Sequence, residues 1–224
     1  MNIVCIVGSP HGLEGNTFRL AQAVFDGVRR QGGVVSLALL GDGAVQPCRG
    51  CDACHRLGDC PQEDGFAEII AAIEAADGVI LASPNYIGSV SAQLKAFLDR
   101  CGGAIHCLAF GGKYGVSVVT SGAGDDQPIV DYLNRFLLMT GIRPVGGVHA
   151  VMAAQSGDHF AAEVRQRAEQ LGEELVLAWR EGRSDPQMER EMAAFRERMR
   201  QLVVWKGDEW PYEYTYWQEH HGLA

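Results

Sequence analysis

The chain has 224 residues, 47% of them hydrophobic and 21% charged, which suits one α/β domain with a substantial core and a short extension. A formal net charge of -9 repels a nucleic-acid backbone on average, so no nucleic-acid partner is expected. No apolar run is long enough to cross a bilayer, and the chain opens directly on Ile3-Val4-Cys5-Ile6-Val7 without a basic leader, so no membrane role and a cytoplasmic location are expected.

The first predicted strand, residues 2–8, runs into Gly8-Ser9-Pro10-His11-Gly12-Leu13-Glu14-Gly15-Asn16-Thr17, and a helix with Leu20, Val24 and Val28 on one face follows. A glycine-rich turn at a helix N-terminus aims backbone N–H groups at an anion, and the helix dipole favours negative charge there. Ser9, Asn16 and Thr17 add short polar donors, while His11 is expected to lie exposed. No lysine follows the last glycine, so this is not a triphosphate-binding Walker loop, and a single phosphate fits better. The plainer alternative is a tight turn with an Asn16-Thr17 cap.

A second strand is expected over 33–40. Cys48, Cys51, Cys54 and Cys60 then follow at spacings C-x2-C-x2-C-x5-C, with Pro61 after the last. Phe66, Ile69, Ile70 and Ile73 mark a helix, and Val79-Ile80-Leu81 a third strand over 77–83. Ser83-Pro84-Asn85-Tyr86-Ile87-Gly88 leads into a helix carrying Leu94, Phe97, Leu98 and Cys101. The fourth strand, 114–120, begins at Lys113-Tyr114 and ends in Thr120-Ser121-Gly122-Ala123-Gly124. Asp125 and Asp126 after it are expected to cap the next helix. A fifth strand over 143–151 and a helix over roughly 159–182, with Val164, Ala168, Leu171 and Leu175 inward, complete the series.

After Gly182-Arg183-Ser184-Asp185-Pro186 the pattern changes. Asp185-Pro186 reads as a cap followed by proline at the first helical position. Met188, Met192, Phe195, Met199 and Leu202 form a narrow seam. Residues 205–217 are rich in aromatics, with Tyr212, Tyr214 and Tyr216 at period two. His220 and His221 read as a frayed terminus. With no sheet face left for the seam to cover, this arm is expected to pack across a second copy of the chain and help wall off a ligand.

Strand and helix alternate five times, which predicts a doubly wound α/β fold: a five-stranded parallel sheet with helices on both faces. Five units without a GxGxxG fingerprint favour the flavodoxin-like version over the dinucleotide-binding one. The expected organisation is a domain over 1–183, with a cysteine-rich loop at 46–62, and a C-terminal helical and aromatic arm over 184–224.

Gly8-Ser9-Pro10 with Gly15-Asn16-Thr17 resembles the FMN phosphate loop of the NAD(P)H-dependent FMN reductase branch of flavodoxin-like proteins. Ser83-Pro84-Asn85-Tyr86 and the following Gln93–Arg100 helix resemble that family's isoalloxazine loop, and Thr120–Gly124 its second flavin loop. The likeness covers about residues 1–155. It implies FMN held by Ser9, His11, Gly15, Asn16, Thr17, Pro84, Asn85, Tyr86, Ile87, Gly88, Thr120, Ser121, Gly122 and Gly124. All three loops also fall at carboxyl ends of predicted strands, where a doubly wound sheet forms its crevice.

Compact cysteine runs closed by proline hold iron-sulfur clusters, and two-residue gaps favour convergence of the thiols. The motif resembles that of the iron-sulfur flavoprotein family, which implies a [4Fe-4S] cluster on Cys48, Cys51, Cys54 and Cys60. Zinc ordinarily takes pairs split by a longer spacer, and a chain that keeps the cysteines without a cluster is a further alternative. Cys5 and Cys101 read as core residues; Cys107 has no assigned role.

The expected function is FMN-dependent electron transfer coupled to the cluster, with small-molecule or ferredoxin-like electron donors and acceptors. NAD(P)H-dependent FMN or quinone reduction without a cluster is the alternative, and a zinc-stabilised binding module a third. A homodimer or homotetramer is expected, and no catalytic side chain is assigned.

Overall fold

A computed structural model describes residues 1–155 and 160–223. Its strands are β1 (Asn2–Val7), β2 (Val34–Leu39), β3 (Gly78–Tyr86), β4 (Ser89–Val90), β5 (Tyr114–Ser121) and β6 (Arg143–Val151). Its helices are α1 (Asn16–Arg30), α2 (Ala53–Leu57), α3 (Phe66–Ala75), α4 (Ala92–Arg100), α5 (Gly102–Cys107), α6 (Gln127–Met139), α7 (Ala162–Glu181), α8 (Pro186–Lys206) and α9 (Pro211–His221). The parallel strands run in the order β2-β1-β3-β5-β6, the flavodoxin-like winding, with β4 antiparallel to the end of β3.

The apolar runs of β1, β3 and β5 are buried because helices cover both faces. On one face α1 and α7 bury Leu20, Val24, Val28, Ala168, Leu171 and Leu175. On the other, α3, α4 and α6 bury Phe66, Ile73, Leu94, Phe97, Leu133 and Leu137. Each such side chain contributes roughly 1.5–3 kcal/mol by leaving water. α1 and α7 meet backbone to backbone: a Cβ on Gly27 would lie 1.8 Å from the Glu169 carbonyl, and one on Gly172 2.0 Å from that of Val24. Cys5 and Cys101 are core residues as expected, and burial pushes both thiols up.

Four expectations change. β3 runs on through Pro84-Asn85-Tyr86 because Asn85 and Tyr86 pair with Val90 and Ser89 in a hairpin. The period-two tyrosines lie on the helix α9, where packing overrides their strand preference. The arm's seam packs on its own chain. Phe195, Met199, Val203 and Trp217 are buried with Leu108 and Leu138. The outward side of α5 and α6 offers the apolar cover that the sheet no longer had. Its end is docked as well: His221 Nε2 lies 2.8 Å from the Cys107 carbonyl, and the Trp217 indole donates to the His106 carbonyl at 3.0 Å. His221 is therefore not frayed. Asp185 caps α8 by accepting from the backbone N–H groups of Gln187 and Met188.

Candidate functional site

Three loops meet at the carboxyl ends of β1, β3 and β5. Gly15 stands at the N-cap of α1 with no side-chain cap, which leaves the first-turn N–H groups without intrahelical acceptors. The turn demands glycine: a Cβ on Gly15 would lie 2.7 Å from Ser9 Oγ and 3.2 Å from His11 Cβ. Thr17 Oγ1 and Thr120 Oγ1 are 2.7 Å apart and join the first loop to the third. Ser91 Oγ donates to the Gly8 carbonyl at 2.6 Å and accepts from Leu94 N, joining the first loop to the α4 N-terminus.

The β3–β4 turn has Ile87 at φ +54° and Gly88 at φ +70°, the paired left-handed residues of a type I′ hairpin. A β-branched residue there is strained. Ile87 is fully exposed. Asn85 braces this loop against the next. Its Oδ1 accepts from Gly88 N, while its Nδ2 donates to the Gly124 carbonyl and, at 2.9 Å, to Asp126 Oδ1.

Asp126 is not the helix cap that its position suggests, since its side chain makes no cap bond. It is buried and accepts from Asn85 and, at 2.8 Å, from Ser121 Oγ, with His149 Nδ1 3.7 Å away. A buried carboxylate holding two loops is useful only while both donors stay in place.

These loops enclose a cavity of about 290 Å³ lined by Ser9, His11, Asn16, Thr17, Pro84, Asn85, Tyr86, Thr120, Ser121, Gly122 and Met152. Gly15, Ile87, Gly88 and Gly124 shape the loops without lining it. Met152 carried no sequence signal, because it follows β6 in a short turn. A larger cavity of about 570 Å³ lies between α6 and α8, but it has neither a glycine turn nor a free helix N-terminus, so size alone does not recommend it.

The cysteine loop contains α2, which carries Cys54, and is pinned from two directions. At its base Arg100, almost wholly buried, donates to Asp64 Oδ2 at 2.5 Å, to Cys60 Sγ at 3.2 Å and to the Gln46 carbonyl. Burial pushes the Asp64 carboxyl up. Arg100 and the N–H groups of Gln46 and Phe66 outweigh burial and hold it below the usual carboxylate range. Above the loop, α9 supplies Glu213. Its buried carboxylate lies 2.5 Å from His55 Nδ1 and 3.1 Å from His106 Nδ1. Burial pulls His55 down, yet hydrogen bonds to Cys54 and Glu213 prevail and raise it to about 10. Trp210 stacks on both rings, at 4.4 Å from His55 and 5.1 Å from His106.

All seven cysteines are free. Cys48 and Cys51 are exposed, Cys54 and Cys60 half-buried, and the Gly50 N–H donates to Cys48 Sγ at 3.4 Å. The four cysteines share one loop. Among the described residues the convergent ligand group is His55, His106 and Glu213. Left-handed residues at Gly50, Asp52 and Gly58 turn the loop sharply.

A family model described as NADPH-dependent FMN reductase matches residues 1–155. The chain belongs to that family. Within it, an iron-sulfur flavoprotein of Archaeoglobus fulgidus is 31% identical over 222 residues, covering 98% of each chain, and places this protein among the iron-sulfur flavoproteins. A second iron-sulfur flavoprotein, from Methanocaldococcus jannaschii, is 34% identical over 148 residues, 65% of this chain and 76% of that one. The crystal structure of a flavodoxin, WrbA-like protein from Agrobacterium tumefaciens superposes with a TM-score of 0.58 at 22% identity, covering 81% of this chain and 99% of that one. The chain is thus an FMN-dependent oxidoreductase with a flavodoxin-like fold, extended by C-terminal helices. Among the described residues no helix is long and apolar enough to cross a membrane.

Proposed function

We propose that the crevice holds FMN, with its phosphate in the turn between Ser9 and Thr17 and its ring between the Pro84–Tyr86 and Thr120–Gly122 segments. The observation that carries this is the Gly15 turn: a close-walled cradle at an uncapped helix N-terminus, with Ser9 and Thr17 buried beside it. Its donors are neutral, which suits one phosphate monoester rather than a triphosphate. Tyr86, half out of the surface, offers an aromatic face at the mouth. Residues 1–183 then act as the flavin unit, and 184–224 as an extension that closes over the cysteine loop.

A [4Fe-4S] cluster on Cys48, Cys51, Cys54 and Cys60 is the second part of the reading. Four unpaired thiols on one short loop, with N–H groups of Gly50 and Arg100 directed at two of the sulfurs, are a fitting donor set for iron and sulfide. FMN supplies one- and two-electron chemistry and a cluster single-electron chemistry. The chain's own residues bind, orient and shield them. Ferredoxin-like proteins or NAD(P)H are suitable donors, and small oxidants suitable acceptors. Free thiols throughout fit a reducing, cytoplasmic setting. A homodimer or homotetramer is supported by the edge strand β2, which exposes Val34, Leu37 and Leu39.

The competing reading is an NAD(P)H-dependent reductase that carries no cluster, for which the exposed Cys48 and Cys51 are simply free surface thiols. Anaerobic purification with iron and sulfide counts and a visible spectrum separates the two. Iron and sulfide that vanish when the four cysteines become serine, with flavin retained, support the cluster. Flavin without iron, bleached rapidly by NADPH in stopped flow, supports the alternative.

A further inference from the structure

Glu213 presents an unusual demand. Its side chain has 0% exposure, and among the described residues its ion-pair partners are His55 and His106 alone, without lysine or arginine. A carboxylate removed from water needs compensating charge and a full set of hydrogen bonds. Here both imidazoles turn the same atom, Nδ1, toward it, from α2 and α5, while Glu213 itself comes from α9. The ligating atoms of the three residues lie within 4.8 Å of one another.

We propose that His55, His106 and Glu213 bind one divalent transition-metal ion, at a site distinct from the four cysteines. Two imidazole nitrogens and a carboxylate oxygen are the ligands of borderline ions such as zinc, cobalt and nickel, whereas magnesium and calcium prefer all-oxygen sets. An ion of this kind sits about 2.0–2.2 Å from each ligand. His55 Nδ1 and Glu213 Oε1 lie 2.5 Å apart, so the two ligands separate to admit an ion between them.

The surroundings suit a buried ion. Trp210 covers both rings with its indole face, and the imidazoles stack on each other at 4.8 Å with their planes 17° apart. That packing fixes the ring directions before anything binds. Three protein ligands leave a fourth position for water. Because the ligands come from α2, α5 and α9, the ion joins the C-terminal arm to the cysteine loop.

The test is a titration of the purified protein with Co²⁺, followed in the visible and near ultraviolet. Nitrogen and oxygen ligation gives weak d–d bands, whereas thiolate ligation adds an intense charge-transfer band. The expected result is one equivalent of Co²⁺ with d–d bands alone in a variant with the four cysteines replaced by serine, which removes the competing thiols. Glu213→Gln, which keeps the side-chain volume, weakens binding about 100-fold or more, beyond the loss typical of an outer-shell change. His106→Asn does the same and carries the test if Glu213→Gln fails to fold. Bound Co²⁺ also raises the melting temperature of the cysteine variant, but not once Glu213 or His106 is replaced in it as well.

Two results overturn the proposal: no stoichiometric uptake by the cysteine variant, or unchanged binding when a ligand is replaced in folded protein. None of these readouts depends on flavin or iron. Failure here is thus distinct from failure of the FMN and cluster reading.

Discussion

The flavin crevice and the cysteine loop sit on the same sheet but are held by different kinds of contact. The crevice is braced by its own loops: Thr17 with Thr120, Asn85 and Ser121 with Asp126, Ser91 with Gly8. The cysteine loop is held by distant elements, Arg100 of α4 at its base and Glu213 of α9 above it. The first region is self-contained. The second depends on an appendage 158 residues further along the chain, so the arm that seemed spare is a structural part of the cysteine site.

Breaking this contrast begins with Asp64→Ala. It leaves the buried Arg100 guanidinium unpaired, an expected loss of about 3–5 kcal/mol in urea unfolding. The pair also sets part of the acid limb. Because the folded Asp64 is held below its usual value, its stabilisation is complete above the unfolded value near 3.9. It is lost as pH falls through the folded value. Unfolding measured against pH shows a flatter acid limb in Asp64→Asn.

Within the crevice, Asp126→Ala removes the acceptor of Ser121 and Asn85. The expected cost is about 2 kcal/mol of stability, read by thermal melting, and weaker flavin binding with it. Gly15→Ala acts on the ligand more than on the fold. Its Cβ crowds the buried Ser9 Oγ, so FMN affinity falls about tenfold in fluorescence titration, with about 1 kcal/mol of stability lost in thermal melting. The smallest effect runs the other way. Ile87→Asn relieves a left-handed β-branched residue in an exposed turn and gains about 1 kcal/mol in the same melting assay. Loss of stability on that change would mean that Ile87 makes a contact that compensates its strain.

The sequence made the crevice legible because its parts are local. A glycine turn before a helix, a Pro84-Asn85 strand end and a Thr120–Gly124 loop each announce themselves within a few residues, and the winding rule brings them together. The role of Asp126 was hidden because its position before α6 imitates a cap, while the tie to Asn85 spans 41 residues. Glu213 was still harder to read. Nothing near it in a run of tyrosines and tryptophans points to His55 or His106, and the stacked rings arise only once α9 folds back. The cysteine spacing showed which residues share a loop, but not the contacts from α4 and α9 that pin it. For the same reason the methionine seam indicated burial without saying against what.

The most direct test of the central claim is titration of the flavin-free protein with FMN and, in parallel, with riboflavin, which has the same ring and no phosphate. If the Gly15 turn is the phosphate cradle, FMN binds with one equivalent per chain and at least about 100-fold more tightly than riboflavin, the difference expected from several charge-assisted hydrogen bonds. Equal affinity for the two, or no binding of either, would contradict the account.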